Sequence, residues 1–336
     1  RTGGNDIFGR HPKPAKMKKQ NWYKLIYQFA VIGIIVFMVF RLFIDKAYTP
    51  DFEAYCPFGG LQALGSYLTM DSLSCSMTST QIMMGVALFI GIVLFSRLFC
   101  GYICPLGTIG EWLGKLGEKL KVRITPKGVA DKALRLLKYV LLFITFYFTL
   151  KSSELFCKKF DPYYAAVTGF NSDVELWWAL IAIGALLIGS IFFRLFWCRY
   201  LCPLGALSAI FKYSWWFLGA MAVYVILLLA GLNIPYVYPL LIITAGGYIL
   251  EIARMNRVRP DPVHITRNTD TCTSCGLCTE SCPQGIDVAS EEKVTHADCT
   301  LCGDCLYACP EKDTLQINKR NMKWQPDVVL GALIIL

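Results

Sequence analysis

Histidine is nearly absent from this sequence: His11, His264 and His296 are the whole complement in 336 residues. All three lie outside the apolar runs, whereas a haem-bearing helix bundle needs axial His pairs inside its helices. A bis-histidine cytochrome, and with it haem b, is therefore excluded. Charge is scarce as well. Asp, Glu, Lys and Arg make up 17% of the chain and hydrophobic residues 55%, against about 25% and 45 to 50% in soluble domains, which excludes a purely soluble or disordered protein. No Asp or Glu interrupts the apolar runs, so a redox-driven ion transporter would lack its intramembrane carboxylate. Nucleotide, flavin and catalytic-triad motifs are missing too. The basic excess, 33 Lys+Arg against 24 Asp+Glu for a net +9, belongs to the loops of a membrane protein, and no nucleic-acid partner is expected.

Apolar length takes the place of charge. Residues Leu25 to Ile44, Ile82 to Phe99, Leu134 to Leu150 and Leu176 to Trp197 each approach the ~20 residues that cross a bilayer. Tyr213 to Leu250 is free of charge, too long for one span and broken at Gly231-Leu-Asn-Ile-Pro235, so it reads as a hairpin of two helices. Val328 to Leu336 opens a further span, and Arg1 in place of Met suggests trimming at the other end. No cleavable signal peptide is evident. Arg10, Lys13, Lys16, Lys18 and Lys19 precede the first span, and Lys115 to Arg135 follows the second with many bases. By contrast, loops 45–81 and 151–175 are mainly acidic. The positive-inside rule puts the N-terminus, the 100–133 loop, the 198–212 turn and Arg254 to Gln325 in the cytoplasm, with the two acidic loops outward. The expected architecture is an α-helical polytopic membrane protein of about six spans with a small α+β two-cluster ferredoxin domain. Its parts are a cytoplasmic segment 1–21, a transmembrane domain 22–253, a cytoplasmic double 4Fe-4S domain 254–324 and the start of another span at 325–336.

Fifteen cysteines are the second anomaly. Cys272, Cys275, Cys278 and Cys282-Pro form one C-x2-C-x2-C-x3-C-P run, and Cys299, Cys302, Cys305 and Cys309-Pro form another. Three thiolates on one tight loop reach three iron corners, while the fourth, on the helix that follows, points to the neighbouring cluster. Cys272, Cys275, Cys278 and Cys309 are thus expected to hold one 4Fe-4S cluster, and Cys299, Cys302, Cys305 and Cys282 the second. Zinc favours paired CxxC units, and disulfides are disfavoured in a cytoplasmic insert. Leu277, Ile286, Leu301, Tyr307, Leu315 and Ile317 are expected to form an apolar shell, and His296 to be a surface residue rather than a ligand.

A repeat lies in the membrane part. At an offset of 98, Cys100-Gly-Tyr-Ile-Cys104-Pro-Leu-Gly superposes on Cys198-Arg-Tyr-Leu-Cys202-Pro-Leu-Gly with six of eight positions identical. Cysteines four apart share a helical face, and the proline ends the helix, so Cys100, Cys104, Cys198 and Cys202 are expected to bind a further iron–sulfur centre near the cytoplasmic interface. A competing arrangement gives each repeat its own cluster, with Cys56 and Cys75 joining the first pair and Cys157 the second, if the acidic loops re-enter the bilayer. Inert buried thiols are the bland alternative. For Arg97, Arg194, Lys138 and Arg41, snorkelling is the simpler reading; Arg97 and Arg194 could instead balance an anionic cluster or a quinone oxygen. The Trp177-Trp178 and Trp215-Trp216 pairs read as interface anchors. Met70, Met77, Met83 and Met84 offer soft ligands to copper.

Two CxxxCP segments among apolar spans, followed by a double ferredoxin run, resemble the membrane polyferredoxins typified by NapH, NosR and CcoG over roughly residues 20–320. The resemblance implies a bacterial-type inner membrane location and an electron-transfer subunit of an oxidoreductase complex, quinol dehydrogenase-like. It would relay electrons between a cytoplasmic donor or the menaquinol or ubiquinol pool and an outward-facing cytochrome, flavoprotein or iron–sulfur partner. A copper reductase or assembly factor is the alternative that the CcoG likeness implies. Neither a NosR-type flavin domain nor a CcoG-type C-terminal soluble domain is visible, so no relative's substrate carries over.

Overall fold

The computed structural model describes residues 21–44, 58–62, 79–95, 97–124, 126, 128–152, 156–232, 234–254, 263–311, 313–319 and 322–324. Cys56, Cys75, Met70, Met77, the basic residues of 1–20 and the 325–336 segment lie outside them. Helices α1 (Trp22–Ile44) and α5 (Val129–Ser152) are the two among the described residues that are long and apolar enough by themselves to cross a membrane. The other apolar helices are shorter: α2 (Ser79–Phe95), α7 (Leu176–Phe192), α9 (Ser214–Leu229) and α10 (Val237–Arg254). Helix α8 (Pro203–Lys212) meets α9 at a 90° bend, and the two together also have the length and composition of a span.

The expected second and fourth spans stop early. α2 ends at Phe95 and α7 at Phe192, and a new element begins beyond each break: α3 (Leu98–Tyr102) and a π-turn at Trp197–Leu201. In both repeats the N–H of the second cysteine donates to the carbonyl five residues back, Cys104 to Phe99 at 3.0 Å and Cys202 to Trp197 at 2.7 Å. The cysteines are therefore on widened turns, not on one face of a continuous α-helix as the four-residue spacing suggested. Cys104 and Cys202 then cap the next helices, α4 (Pro105–Lys119) and α8, with almost the same dihedral angles (φ −67°, ψ 118° and φ −66°, ψ 118°), each followed by a proline in the first turn.

Small residues seat α4 on the end of α7. A Cβ at Gly117 would lie 1.9 Å from the Ile191 carbonyl oxygen, and one at Gly110 would touch Leu195 and Ser190. Helix α6 (Pro162–Thr168) is capped by the Asp161 carboxylate, which accepts from Tyr163 N–H, and stops at left-handed Gly169. Residues 58–62 and Cys157, ahead of the two repeats, pack into the bundle. Phe58 and Leu61, on a helical turn at 58–62, share a buried cluster with Cys157, Leu142, Ala206 and Ile210, and a Cβ on Gly85 would strike Gly60 at 2.7 Å.

The ferredoxin part has an antiparallel sheet in the order β2-β1-β3-β4, built from β1 (His264–Arg267), β2 (Lys293–Val294), β3 (Leu315–Lys319) and β4 (Met322–Trp324). Ile265 pairs with both Val294 and Ile317. Its core holds Ile265, Ile286, Leu301, Leu315 and Ile317 together with Leu98 and Tyr102, which project from α3 into it. Of the expected shell, Leu277 and Tyr307 are only half-buried.

Candidate metal centres

The two ferredoxin runs fold alike. The residue before the second cysteine and the glycine after it are left-handed in each loop: Ser274 (φ 54°) and Gly276 (φ 74°), Leu301 (φ 51°) and Gly303 (φ 78°). A serine and a leucine in that region carry local strain, which bends the loop around its sulfurs. Two short helices follow, α11 (Leu277–Ser281) and α12 (Asp304–Ala308), and each releases its fourth cysteine in extended conformation, Cys282 at ψ 117° and Cys309 at ψ 123°. Cys272, Cys275, Cys278 and Cys309 line one small cavity. Cys299, Cys302, Cys305 and Cys282 line another. Cys305 interacts electrostatically with Cys278, so the cavities are neighbours.

The donor set suits a polynuclear cluster. Four thiols line each cavity, the donor set that a 4Fe-4S cluster takes. Backbone N–H groups of Ile286, Gln284 and Gly285 aim at the Cys282 sulfur, a pattern that favours negative charge on sulfur. Burial pushes the Cys282 thiol up. Cys272 is also burdened by burial, but Ser274 and the Arg267 guanidinium outweigh it and hold the thiol below its ordinary value.

Cys100, Cys104, Cys198 and Cys202 come together from the two repeats. Cys198 feels the charges of Cys104, Cys202 and Cys100, Cys104 those of Cys100 and Cys202, and Cys202 that of Cys100. The first N–H groups of α4, from Leu106 and Gly107, point at Cys104, and those of α8, from Leu204 and Gly205, point at Cys202. Two helix N-termini thus face the same group of thiols, a favourable place for negative charge. Gly107 and Gly205 are part of this packing, since a Cβ would lie 2.3 Å from the Cys100 carbonyl oxygen or 2.5 Å from that of Cys198. Cys157 is buried among apolar residues, with its Sγ 3.5 Å from Gln62 Oε1. Met83 is 73% exposed.

The segment that carries Cys100 and Cys104 abuts the ferredoxin part. A Cβ on Gly101 would be 3.5 Å from Thr300 and 3.7 Å from Cys302 Cβ. Tyr102 Oη and Asn21 Nδ2 both donate to the Cys302 carbonyl, at 2.8 and 2.9 Å. Lys24 Nζ lies 2.8 Å from Asp304 and 2.7 Å from Glu111.

Arg97 and Lys138 do not snorkel. Arg97 is 4% exposed and bonds Asp298 Oδ1 at 3.0 Å and the Gly205 carbonyl at 2.9 Å. Lys138 is fully buried, 2.8 Å from Glu251 Oε1. Arg135 joins the same network at 2.9 Å to Asp131, 2.6 Å to Glu251 and 2.6 Å to Asp298. Arg199 and the Tyr200 hydroxyl complete Asp131, and the Tyr139 hydroxyl donates to Glu251. Arg194 reaches the ferredoxin part by a different route, its Nη1 donating to the Cys282 carbonyl at 2.8 Å. His296 is half-buried, its Nδ1 accepting from Asp298 N–H at 3.1 Å, and burial lowers its pKa.

Cysteine sets of this kind, in twofold repeats and paired loops, are those of ferredoxin-type iron–sulfur proteins. A family model described as a 4Fe-4S binding domain matches twice, over residues 77–123 and 175–220, one copy on each CxxxCP repeat. A second, described as a 4Fe-4S dicluster domain, matches residues 264–310. The "Putative electron transport protein YccM" of Escherichia coli is 29% identical over 243 residues, 70% of this chain and 55% of the relative. The "Regulatory protein NosR" of Pseudomonas aeruginosa is 37% identical over 34% of this chain and 16% of its own length. The "Ferredoxin-type protein NapH" of Haemophilus influenzae is 31% identical over 34% and 38%. The chain spans about half of the first of these relatives and less of the others, and no solved structure matches it. By these matches the chain is similar to the NapH/NosR-type polyferredoxins and carries 4Fe-4S binding domains of the ferredoxin type.

Proposed function

We propose that this chain is the electron-transfer subunit of a membrane oxidoreductase, passing electrons between a cytoplasmic donor or the quinol pool and an outward-facing redox partner. Its six spans would be α1, α2 with α3, α5, α7, α9 and α10, with residues 1–21 and 254–324 in the cytoplasm. Cys272, Cys275, Cys278 and Cys309 would hold one 4Fe-4S cluster, Cys299, Cys302, Cys305 and Cys282 a second, and Cys100, Cys104, Cys198 and Cys202 a third centre. When bound, these groups supply one-electron carriers close to one another. The observation that carries the reading is the seating of α3 on the Cys302 loop through Gly101 and Tyr102, which sets the segment bearing Cys100 and Cys104 against the ferredoxin part.

The remaining work belongs to the chain's own residues. Leu98, Tyr102 and Leu301 keep water from the junction. Arg97 interacts with both Cys100 and Cys198, so its buried guanidinium lowers the cost of placing negative charge at the thiols of the repeats. Iron quantitation with EPR tests the reading. More than eight irons per chain are expected, and Cys104→Ser and Cys202→Ser should each abolish the same additional signal. A count stopping at eight in both wild type and variants would remove the third centre.

Gly205→Ala tests the same site without touching a ligand. The added methyl must displace the Cys198 carbonyl, a strain of about 1–3 kcal/mol. Loss of the additional signal with the ferredoxin signals unchanged is expected, while an unaltered spectrum would contradict the packing.

A further inference from the structure

A cleft bordered by one cysteine, Cys282, opens between α4, the turn after it and the 279–285 loop of the ferredoxin part. It consists of two adjoining cavities of about 300 and 430 Å³, which share Arg194 and Glu280. Lys115, Glu118 and Arg123 line the first, and Arg199 lines the second. The side chains of Arg123, Arg194 and Arg199 are only 15, 17 and 19% exposed, so these are held cations, not solvated surface charges.

Their compensation is incomplete. Arg123 and Arg194 share one carboxylate, Glu118, at 3.0 and 3.9 Å, and that carboxylate is half-exposed. Arg194 otherwise bonds the Cys282 carbonyl, and Arg199 bonds Asp131 at 2.9 Å and the Gln284 carbonyl at 3.5 Å. A guanidinium carries five N–H donors, yet each here satisfies one or two of them, and the Nε of all three is buried with no acceptor among the described residues. Arg123 and Arg194 are close enough that, after burial, the charge of Arg194 is the next cause holding the pKa of Arg123 down. Two like charges held together at the mouth of a cavity are relieved by an anion that both can fork onto, and a phosphate group fits that geometry.

We propose that this cleft binds a phosphate group through Arg123 and Arg194, with Arg199 and Lys115 adding charge. The group is borne either by an anionic phospholipid or by a soluble phosphate ester. Leu120 and Ile124 beside the cleft are 59 and 53% exposed, where an acyl chain could lie, and basic pockets at helix ends suit anionic headgroups. Because Arg194 also holds the Cys282 carbonyl, a bound anion adds negative charge next to the Cys282, Cys299, Cys302 and Cys305 set and should lower the potential of a centre there. That last step alone rests on the proposed cluster assignment.

The test uses the full chain, delipidated in zwitterionic detergent, with two probes: inorganic pyrophosphate followed by calorimetry, and nanodiscs of phosphatidylcholine with or without phosphatidylglycerol, followed by the phosphatidylglycerol retained after re-extraction. Arg123→Gln and the double variant Arg123→Gln/Arg194→Gln are compared with wild type. Arg123→Gln gives up only the contact with Glu118, so its iron content should be unchanged and its result does not depend on refolding. At least tenfold weaker pyrophosphate binding, or loss of the retained phosphatidylglycerol, is expected in both variants. Retained lipid that pyrophosphate cannot displace identifies a headgroup site, and pyrophosphate binding indifferent to lipid identifies a soluble ester. Binding of neither probe, or equal binding by wild type and both variants, overturns the proposal, whatever the cluster count turns out to be.

Discussion

Arg135→Met should loosen the ferredoxin part from the helices by about 3–5 kcal/mol, the usual cost of removing one partner from a buried ion pair. Arg135 has no exposure and is the one side chain that contacts all three buried carboxylates of the network, Asp131 on its own helix, Glu251 on α10 and Asp298 next to the Cys299 loop. Methionine conserves much of the volume, so the loss is electrostatic rather than a cavity. Asp298 would retain Arg97, Glu251 would retain Lys138 and Tyr139, and Asp131 would retain Arg199 and Tyr200. Asp298 therefore suffers most, since it loses a bidentate clamp at 2.6 and 3.3 Å and keeps a single bond of 3.0 Å. Hydrogen exchange at residues 297–300 should accelerate by two orders of magnitude or more, while protection at the centre of α5 persists. Unchanged exchange would mean that the interface is held by its apolar contacts alone.

The sign should reverse if Asp298 is removed together with both of its arginines. Burying two ions costs several kcal/mol each, and well-packed apolar replacements are often neutral or stabilising. A variant carrying Arg135→Met with Asp298→Leu and Arg97→Met should therefore be better docked than Arg135→Met alone. The charges are then best understood as fixing where the Cys299 loop sits, not as the main source of adhesion.

These residues also mark the limit of what the sequence could reveal. The cysteine spacings are local, because the thiols on one loop are three residues apart, and the loops can be read without knowing where anything else lies. The repeat was legible for the same reason. The ion network was not, as Arg97, Arg135, Lys138, Glu251 and Asp298 come from four distant segments and each looks like an ordinary helix-end charge. Glu251 sits one residue past the end of the charge-free run, and its partner Lys138 is 113 residues away. Sequence alone also missed the breaks in the second and fourth apolar runs. Nothing in Phe-Phe-Arg-Leu-Phe announces a left-handed Leu195 (φ 47°), and the π-turns depend on hydrogen bonds five residues back, which hydropathy does not encode. The return of residues 58–62 into the bundle required a glycine at position 85, where a Cβ would strike the Gly60 backbone, and that closeness appears only in three dimensions.

Cys309→Ala should damage the centre of the other loop. Its own run contains Cys299, Cys302 and Cys305, but the extended conformation at the end of α12 turns Cys309 toward the cavity lined by Cys272, Cys275 and Cys278, and Cys282 leaves α11 in the same way toward the opposite cavity. If each fourth cysteine closes the neighbour's set, the two loops are tied together through the metal, and neither run should fold by itself. In Cys309→Ala the site of Cys272, Cys275 and Cys278 keeps three thiolates. It is expected to fall to a three-iron or labile form, so that one to four irons are lost, while Cys299, Cys302, Cys305 and Cys282 retain theirs. Cys282→Ala should give the mirror result. The two loops can be told apart because the cavity of the first is flanked by Arg267 and that of the second by Ile265 and Val294. An Arg267→Gln background should therefore shift the signal of the first set and leave the second where it was. If Cys309→Ala instead erased the signal that is indifferent to Arg267, each run would be closing its own cluster, and the crossed assignment would be wrong.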